Sequence, residues 1–222
     1  VLIESVTVIG RGRVGSAIAA RLDERDVEVR EDGAQIVLLC VPDSAIAATA
    51  ECQTLSVSQW VAHTSGATPL SALSPHERRF GLHPLQTFNR SGDPKQLDGA
   101  HAAVTGESDE ARAVGAELAE ALGLTPFQLD EADRALYHAG AAIASNYLVT
   151  LHRAAVEVFK EVSAPSAGLE PLMRRVIENG FELTGPIARG DWETVERHLA
   201  AIRERKPQLE PLYRMLAEAT TA

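Results

Sequence analysis

The stretch that most constrains this 222-residue chain is Val6-Thr7-Val8-Ile9-Gly10-Arg11-Gly12-Arg13-Val14-Gly15-Ser16. An apolar run fit for one buried strand meets glycines spaced G-x-G-x-x-G. The residues that follow, Val14, Ala17, Ile18 and Leu22, are apolar at helical spacing. Gly10 suits the tight turn, Gly12 lets an anion approach the backbone, and Gly15 lets the helix lie close on the strand. The first N–H groups of a helix have no partner within it and face whatever anion sits there. Gly10, Arg11, Gly12, Arg13, Val14 and Gly15 are therefore the candidate phosphate-binding set. The rival reading of the same glycines is a turn used only for packing, and that of Arg11 and Arg13 is ordinary solvent exposure.

Downstream, strands are predicted at 5–10, 36–41, 59–63, 79–83, 101–104 and 126–129, and helices at 13–24, 43–53 and 109–122, with Ser108 or Asp109 as cap and Gly123 as stop. Alternation of this kind predicts a doubly wound parallel sheet. After about residue 130 strand signals cease. Asp130 is placed to cap a long helix over 131–162. Further helices are predicted at 167–183, ending near Gly185-Pro186, at 192–205 capped by Asp191, and at 208–219. The expected organisation is an α/β domain over 1–129 and an all-α domain over 130–222.

One segment does not fit. Val27-Glu28-Val29-Arg30 reads as a second strand, yet only Glu31-Asp32-Gly33-Ala34-Gln35 precede the strong strand at Ile36. Five residues reach roughly 17 Å when extended, too little for a crossover helix. Either 27–30 is not a parallel strand, or a helix-and-strand unit has been lost, or part of the sequence is missing. Glu31 and Asp32, with Arg30 beside them, stand where an adenosine ribose or its 2′-phosphate is usually held, so the pattern is ambiguous between NAD and NADP.

In an open parallel sheet, ligands bind beyond the carboxyl ends of the strands. Polar residues collect there: Val41-Pro42-Asp43-Ser44, His63-Thr64-Ser65-Gly66 and His83-Pro84-Leu85-Gln86-Thr87-Phe88. Val41, Pro42, Thr64 and Ser65 are candidate cofactor contacts, and His83 a candidate catalytic residue stiffened by Pro84. In the long helix, α-helical spacing puts His138, Ala142 and Ser145 on one face with Asn146 flanking. His138 is the candidate proton donor, and Ser145 and Asn146 the candidate substrate hydrogen-bonders. Arg189, in the Gly/Pro-shaped loop 183–191, is the candidate for a substrate carboxylate. Each has a plain alternative as a packing, capping or solvent-exposed residue.

A net charge of −10 argues against nucleic acid and anionic membrane as main partners. Cys40 and Cys52 form neither a disulfide framework nor a metal spacing, so no metal is expected and a reducing cytoplasm fits. No apolar run is long enough to cross a bilayer and no signal peptide is evident. The first residue, Val1, reads as a trimmed start.

Taken together, G-R-G-R-V-G-S at 10–16, V-P-D at 41–43, H-T-S-G at 63–66, H-P-L-Q-T-F at 83–88, D-R-A-L-Y-H-A and S-N-Y-L-V at 133–149, and L-T-G-P-I-A-R-G-D at 183–191 resemble a family. Its members join a Rossmann-like NAD(P)-binding domain to a helical C-terminal domain of unknown function. That family stands among the 6-phosphogluconate dehydrogenase-like proteins, beside pyrroline-5-carboxylate, prephenate and ketopantoate enzymes. The resemblance implies a two-domain NADP-type oxidoreductase, dimeric through the helical domain, acting between domains on a small molecule. The chain departs from the pattern in the short segment after its first helix. It also lacks the Lys-x-x-x-Asn pair of several relatives.

The leading expectation is a cytoplasmic NAD(P)H-dependent oxidoreductase that reduces a small carbonyl or imine carboxylate. A second is a non-catalytic binding or regulatory protein that kept the fold and lost full dinucleotide binding. A third is a hydrolase using Ser65 with His63 or His83, against which the absence of a G-x-S-x-G elbow weighs.

Overall fold

A computed structural model describes residues 3–220. Val1, with its reading as a trimmed start, lies outside the described residues, as do the outermost ends of the two expected domains. The chain divides into two compact units, Val1–Ile143 and Ala144–Ala222. The expected division at 129/130 falls one helix earlier.

The first unit is built on a seven-stranded sheet: β1 (Ser5–Ile9), β2 (Glu28–Val29), β3 (Ile36–Leu39), β4 (Trp60–His63), β5 (Arg79–Pro84), β6 (His101–Gly106) and β7 (Thr125–Gln128). Their spatial order is β2-β1-β3-β4-β5-β6-β7. All neighbours run parallel except β5 and β6. The expected doubly wound parallel sheet is observed, with the β5–β6 pair as its one antiparallel neighbour. Between β5 and β6 the chain forms only loop and a short 3₁₀ turn, Pro94–Leu97. With no crossover helix there, it comes back antiparallel.

Alternation along the strands sorts the core onto two faces. On one, Val6, Val8, Ile36, Leu38, Trp60, Ala62, Phe80 and Leu82 are covered by apolar residues of α1 (Arg13–Glu24) and, after α2 (Ile46–Glu51), of α3 (Asp109–Ala121). On the other, Val37, Leu39 and Val61 meet Ile46 and Ala50 of α2 and Leu70 and Leu73 of a 3₁₀ turn. The Ser108 hydroxyl accepts a hydrogen bond from Ala111 N, capping α3 as expected.

The puzzling second strand is parallel and very short. Val29 and Ile36 both pair with Val6, one on each side of β1. The chain between them need only step over one strand, about 10 Å, and no helix or third strand is required. The turn back happens at the level of Val6, about 13 Å short of Gly10 at the rise of a strand. Glu31 and Asp32 therefore leave the sheet near its amino edge, and Arg30 pairs with Glu28 at 2.5 Å. This corrects their reading as an adenosine-ribose site.

The last helix of the first unit is α4 (Arg134–Ala142), entered through a 3₁₀ turn, Glu131–Asp133. Asp130 precedes that turn without capping it through its side chain. What reads in sequence as one helix over 131–162 is α4, a π-helical turn Ile143–Tyr147, and α5 (Leu148–Glu161). The second unit continues with α6 (Leu169–Glu178), α7 (Trp192–Arg205) and α8 (Glu210–Ala219). Asp191 caps α7 by accepting from Thr194 N at 3.1 Å. α6 stops at Glu178, before the Gly185-Pro186 end expected for it, where Gly180 takes φ +69°. Among the described residues no helix is long and apolar enough to cross a membrane.

Candidate functional site

The glycine loop has the geometry its spacing predicts. Gly10 takes φ +95°, and a Cβ there would lie 2.5 Å from the Cys40 carbonyl oxygen. Only glycine makes this turn. A Cβ on Gly15 would lie 1.9 Å from the Gly10 carbonyl oxygen, so α1 can start this close to β1 only without one. Gly12 is the opposite case: nothing lies within 4 Å of where its Cβ would be. It occupies the N-cap position of α1 and offers no side-chain acceptor. The first-turn N–H groups of α1 thus have no side-chain cap. Ser16 Oγ donates to Arg11 O at 2.9 Å and ties the loop together. Arg11 and Arg13 are exposed and Val14 is half-buried. Behind the loop, Val41 Cγ1 lies 3.1 Å from the Gly10 Cβ position. Burial pushes the Cys40 thiol up to about 12, which leaves it a neutral packing group.

A second group of polar residues gathers over the face of β4, β5 and β6. His63 pairs with Gly81 and Gly81 with Thr105, so the three form one row across the sheet. α4 lies over that row and lowers Arg134 into it. The Arg134 guanidinium donates to Thr105 Oγ1 at 3.0 Å and to the Ser65 carbonyl at 2.5 Å. A Cβ on Gly81 would be 2.7 Å from Arg134 Nη1, so the missing side chain makes the room for the cation. Glu131, 3.8 Å from Arg134 Nε, also accepts from Leu70 N at 2.8 Å and so fastens the entry to α4.

One helical turn on, Tyr137 and His138 continue the same face of α4. Tyr137 Oη is 2.8 Å from His83 Nδ1. The His83 and His138 rings meet edge to face with centroids 5.8 Å apart. Gly66 fits against both: a Cβ there would be 2.5 Å from His138 Cδ2 and 3.0 Å from His83 Nε2. Burial first, then the neighbouring His138 and Arg134, lower His83 to about 4, against the pull of Asp43. Burial raises Tyr137 to about 12. A neutral imidazole thus faces a protonated phenol. In the tautomer where Tyr137 donates to Nδ1, His83 carries its own proton on Nε2, the nitrogen turned toward Gly66; in the other, Nδ1 donates to Tyr137 Oη. His63, fully buried in the row below, is lowered to about 4 by burial and by Arg134. Neither of its ring nitrogens has a hydrogen-bond partner among the described residues.

The first unit therefore sets His83 and His138 together against Gly66, next to Ser65, whose carbonyl Arg134 holds, and places Val41, followed by Pro42, behind the glycine loop. Thr64 N donates to Leu39 O at 3.2 Å. Ser65 Oγ donates to Thr68 Oγ1 at 2.9 Å and accepts from Thr68 N at 3.0 Å. Its hydroxyl holds a turn and is not aimed at a base, which removes the hydrolase reading. Ser145, Asn146 and Arg189 belong to the second unit. Ser145 and Asn146 lie in the π-helical turn, where the α-helical spacing used to align them with His138 no longer holds. Arg189 is exposed in the loop before α7; the hydrogen bonds from Thr194 lower the Asp191 carboxyl most, and the charge of Arg189 adds the least. Sequence reasoning passed over Tyr137, Arg134, Gly66 and Gly81. The first two had a signal: positions 134, 137 and 138 share one helical face. Among the described residues no group of three or more His, Cys, Asp or Glu is placed to hold a metal.

Residues 100–220 match the family described as Domain of unknown function (DUF2520). No match emerged among curated proteins. Solved structures share the fold. A candidate NADP oxidoreductase of Bacteroides fragilis is 19% identical, with TM-score 0.83 over 98% of each chain. Protein TM1727 of Thermotoga maritima is 21% identical, with TM-score 0.74 over 98% of this chain and 100% of that one. A reductive aminase of Aspergillus terreus, in complex with NADPH and ethyl levulinate, is 16% identical, with TM-score 0.67 over 98% and 93%. The fold is thus Rossmann-like, with a helical C-terminal part.

Proposed function

The chain belongs to the DUF2520 family, and from that premise we propose that it is an oxidoreductase that uses NADP or NAD to reduce a small carbonyl or imine carboxylate. The observation that carries the reading is the glycine loop. Its tight turn and close helix start are enforced by contacts, while the front of Gly12 stands open. Phosphate oxygens fit that opening, held by the N–H groups of Arg13, Val14 and Gly15 and by the charges of Arg11 and Arg13. A bound nicotinamide supplies the hydride. The chain supplies the proton. His138 is half-buried beside His83, whose Nδ1 shares a hydrogen bond with Tyr137 Oη. Arg134 places this group by pinning α4 to Ser65 and Thr105. In the second unit, Ser145, Asn146 and Arg189 are the substrate-binding candidates.

A second reading, a binding protein of the same fold without catalysis, draws on β2, which ends too early to carry an adenosine-ribose contact. Calorimetric titration with NADPH and NADH to millimolar concentration separates the two. Absence of binding by either refutes the oxidoreductase. Binding without dinucleotide turnover across a panel of 2-oxo acids and cyclic imine acids favours the binding protein.

The small interior of the helical unit supports a homodimer. Among its described residues the buried hydrophobic ones are Leu169, Val195, Leu199 and Ala217, and α5 buries none. Leu148 and Val149 of α5 stay exposed. A second copy on that face would supply the missing burial. Light scattering after gel filtration tests it, and a monomer at micromolar concentration refutes it.

A further inference from the structure

The loop that follows β5 does more than return the chain. Arg21 on α1 donates to Pro94 O at 2.6 Å and pairs with Asp98 at 2.5 Å. Beside the start of α1 this leaves a cleft of about 450 Å³, lined by Arg13, Gln86, Phe88, Asn89, Lys95 and Gln96. The loop makes most of its wall's hydrogen bonds within itself. Gln86 Oε1 accepts from Thr87 N at 2.8 Å, Asn89 Oδ1 from Ser91 N at 2.8 Å, and Gln96 Oε1 from Asn89 N at 2.7 Å. Each of these oxygens accepts from the loop's own backbone, and Gln96 Nε2 donates to Ser91 Oγ at 3.3 Å and to Asp93 O at 3.1 Å. The amide nitrogens of Gln86 and Asn89 have no partner among the described residues, and neither Arg13 nor Lys95 has an ion pair there. The nearby carboxylate of Asp93 is turned onto Lys95 N at 2.9 Å, as the cap of the 94–97 turn. No acid lines the cleft.

We infer that this cleft is an oxyanion subsite, built for a phosphate group, that adjoins the phosphate turn at Gly12, shares Arg13 with it and adds Lys95. Two cations and two amide groups whose nitrogens are unpaired among the described residues line it beside the Thr87 hydroxyl, and no acid does, in a chain whose net charge is −10. That is the donor inventory an oxyanion requires and a neutral or cationic ligand does not. The phosphate could come from the extra phosphate of NADP or from a phosphorylated substrate. The subsite adjoins the glycine loop but does not require a dinucleotide to bind there.

The test uses the full chain with inorganic phosphate as probe, against chloride at equal ionic strength, read by amide NMR shifts over residues 86–96. Wild type shows saturable shifts with phosphate and none with chloride. Lys95→Glu raises the phosphate Kd at least tenfold, and Lys95→Gln raises it less. If the source is the cofactor, Lys95→Glu also weakens NADPH about tenfold and leaves NADH within twofold. If the source is a substrate, both dinucleotides stay within twofold while the phosphate response is lost. The subsite is refuted if wild type shows no saturable response over 86–96, or if Lys95→Glu responds as wild type does. Should neither dinucleotide bind, the proposed function fails, and the phosphate titration still decides the subsite.

Discussion

Replacing Gly12 by alanine separates binding from folding at the glycine loop. In the free protein the new methyl group meets nothing within 4 Å, and the backbone at φ −74°, ψ −162° suits any residue. The stability effect is then that of an N-cap changed from glycine to alanine, under about 1 kcal/mol. For a chain of this length that moves Tm by roughly 2–4 °C at most. The same methyl stands where a phosphate oxygen must come to reach the first-turn N–H groups. Losing one hydrogen bond to a charged group costs about 1.5–3 kcal/mol, which weakens the dinucleotide about 10- to 150-fold. Gly15→Ala behaves differently. Its Cβ would sit 1.9 Å from the Gly10 carbonyl oxygen, so the backbone must move and thermal stability falls first. Calorimetric titration and a thermal melt on each variant give the comparison. If Gly12→Ala stays folded and binds NADPH or NADH within twofold of wild type, the pyrophosphate does not lie over Gly12 and the reading of the loop is wrong.

Other expectations can be measured on the same material. Gly81→Ala puts a Cβ 2.7 Å from the Arg134 guanidinium. It should cost about 1–3 kcal/mol in urea unfolding, and a double-mutant cycle with Arg134→Met should show the two changes to be non-additive. His63 titrates near 4 in the fold, against 6.5 when unfolded. Its neutral burial thus contributes fully above pH 6.5, and about 3 kcal/mol is lost as pH falls from 6.5 toward 4. His63→Leu should flatten the pH dependence of the urea midpoint across that window, and an unchanged slope would argue against it. Tyr137→Phe removes the bond to His83 Nδ1. It should cost about 1 kcal/mol and shift the imidazole tautomer seen by ¹⁵N NMR. Identical His83 nitrogen shifts in the variant would show that Tyr137 does not fix the proton.

The glycine loop was legible because its logic is local. Gly10, Gly12 and Gly15 act through one turn of chain, so their spacing alone states their roles. The start and end of α1 and α7 were legible for the same reason. The Arg134 site was not. It depends on His63, Gly81 and Thr105 falling in one row, which needs the register of three strands and the reversal of β6. Nothing in a single sequence fixes either. The role of Gly81 is likewise invisible, because a glycine in mid-strand reads as weakness until a guanidinium is found over it. The π-helical turn at 143–147 also leaves no mark in residue pattern, and it undid the spacing that aligned Ser145 and Asn146 with His138. The short β2 misled in a more instructive way. The sequence distance was right, yet the strand ends level with Val6, far from the edge where its acids would have mattered.

The same short strand has a consequence for how the molecule behaves in a crowd. An open sheet has two edges, and each is a template on which another chain can add a strand. Here β2 offers two residues, too few to hold a register, and places the Glu28–Arg30 ion pair beside them. At the far edge, β7 carries Pro126, which has no N–H to give to an incoming strand. One margin is shortened and charged, the other broken by proline. The sheet therefore resists extension by strand pairing from either side, and a partner must meet the molecule through side chains.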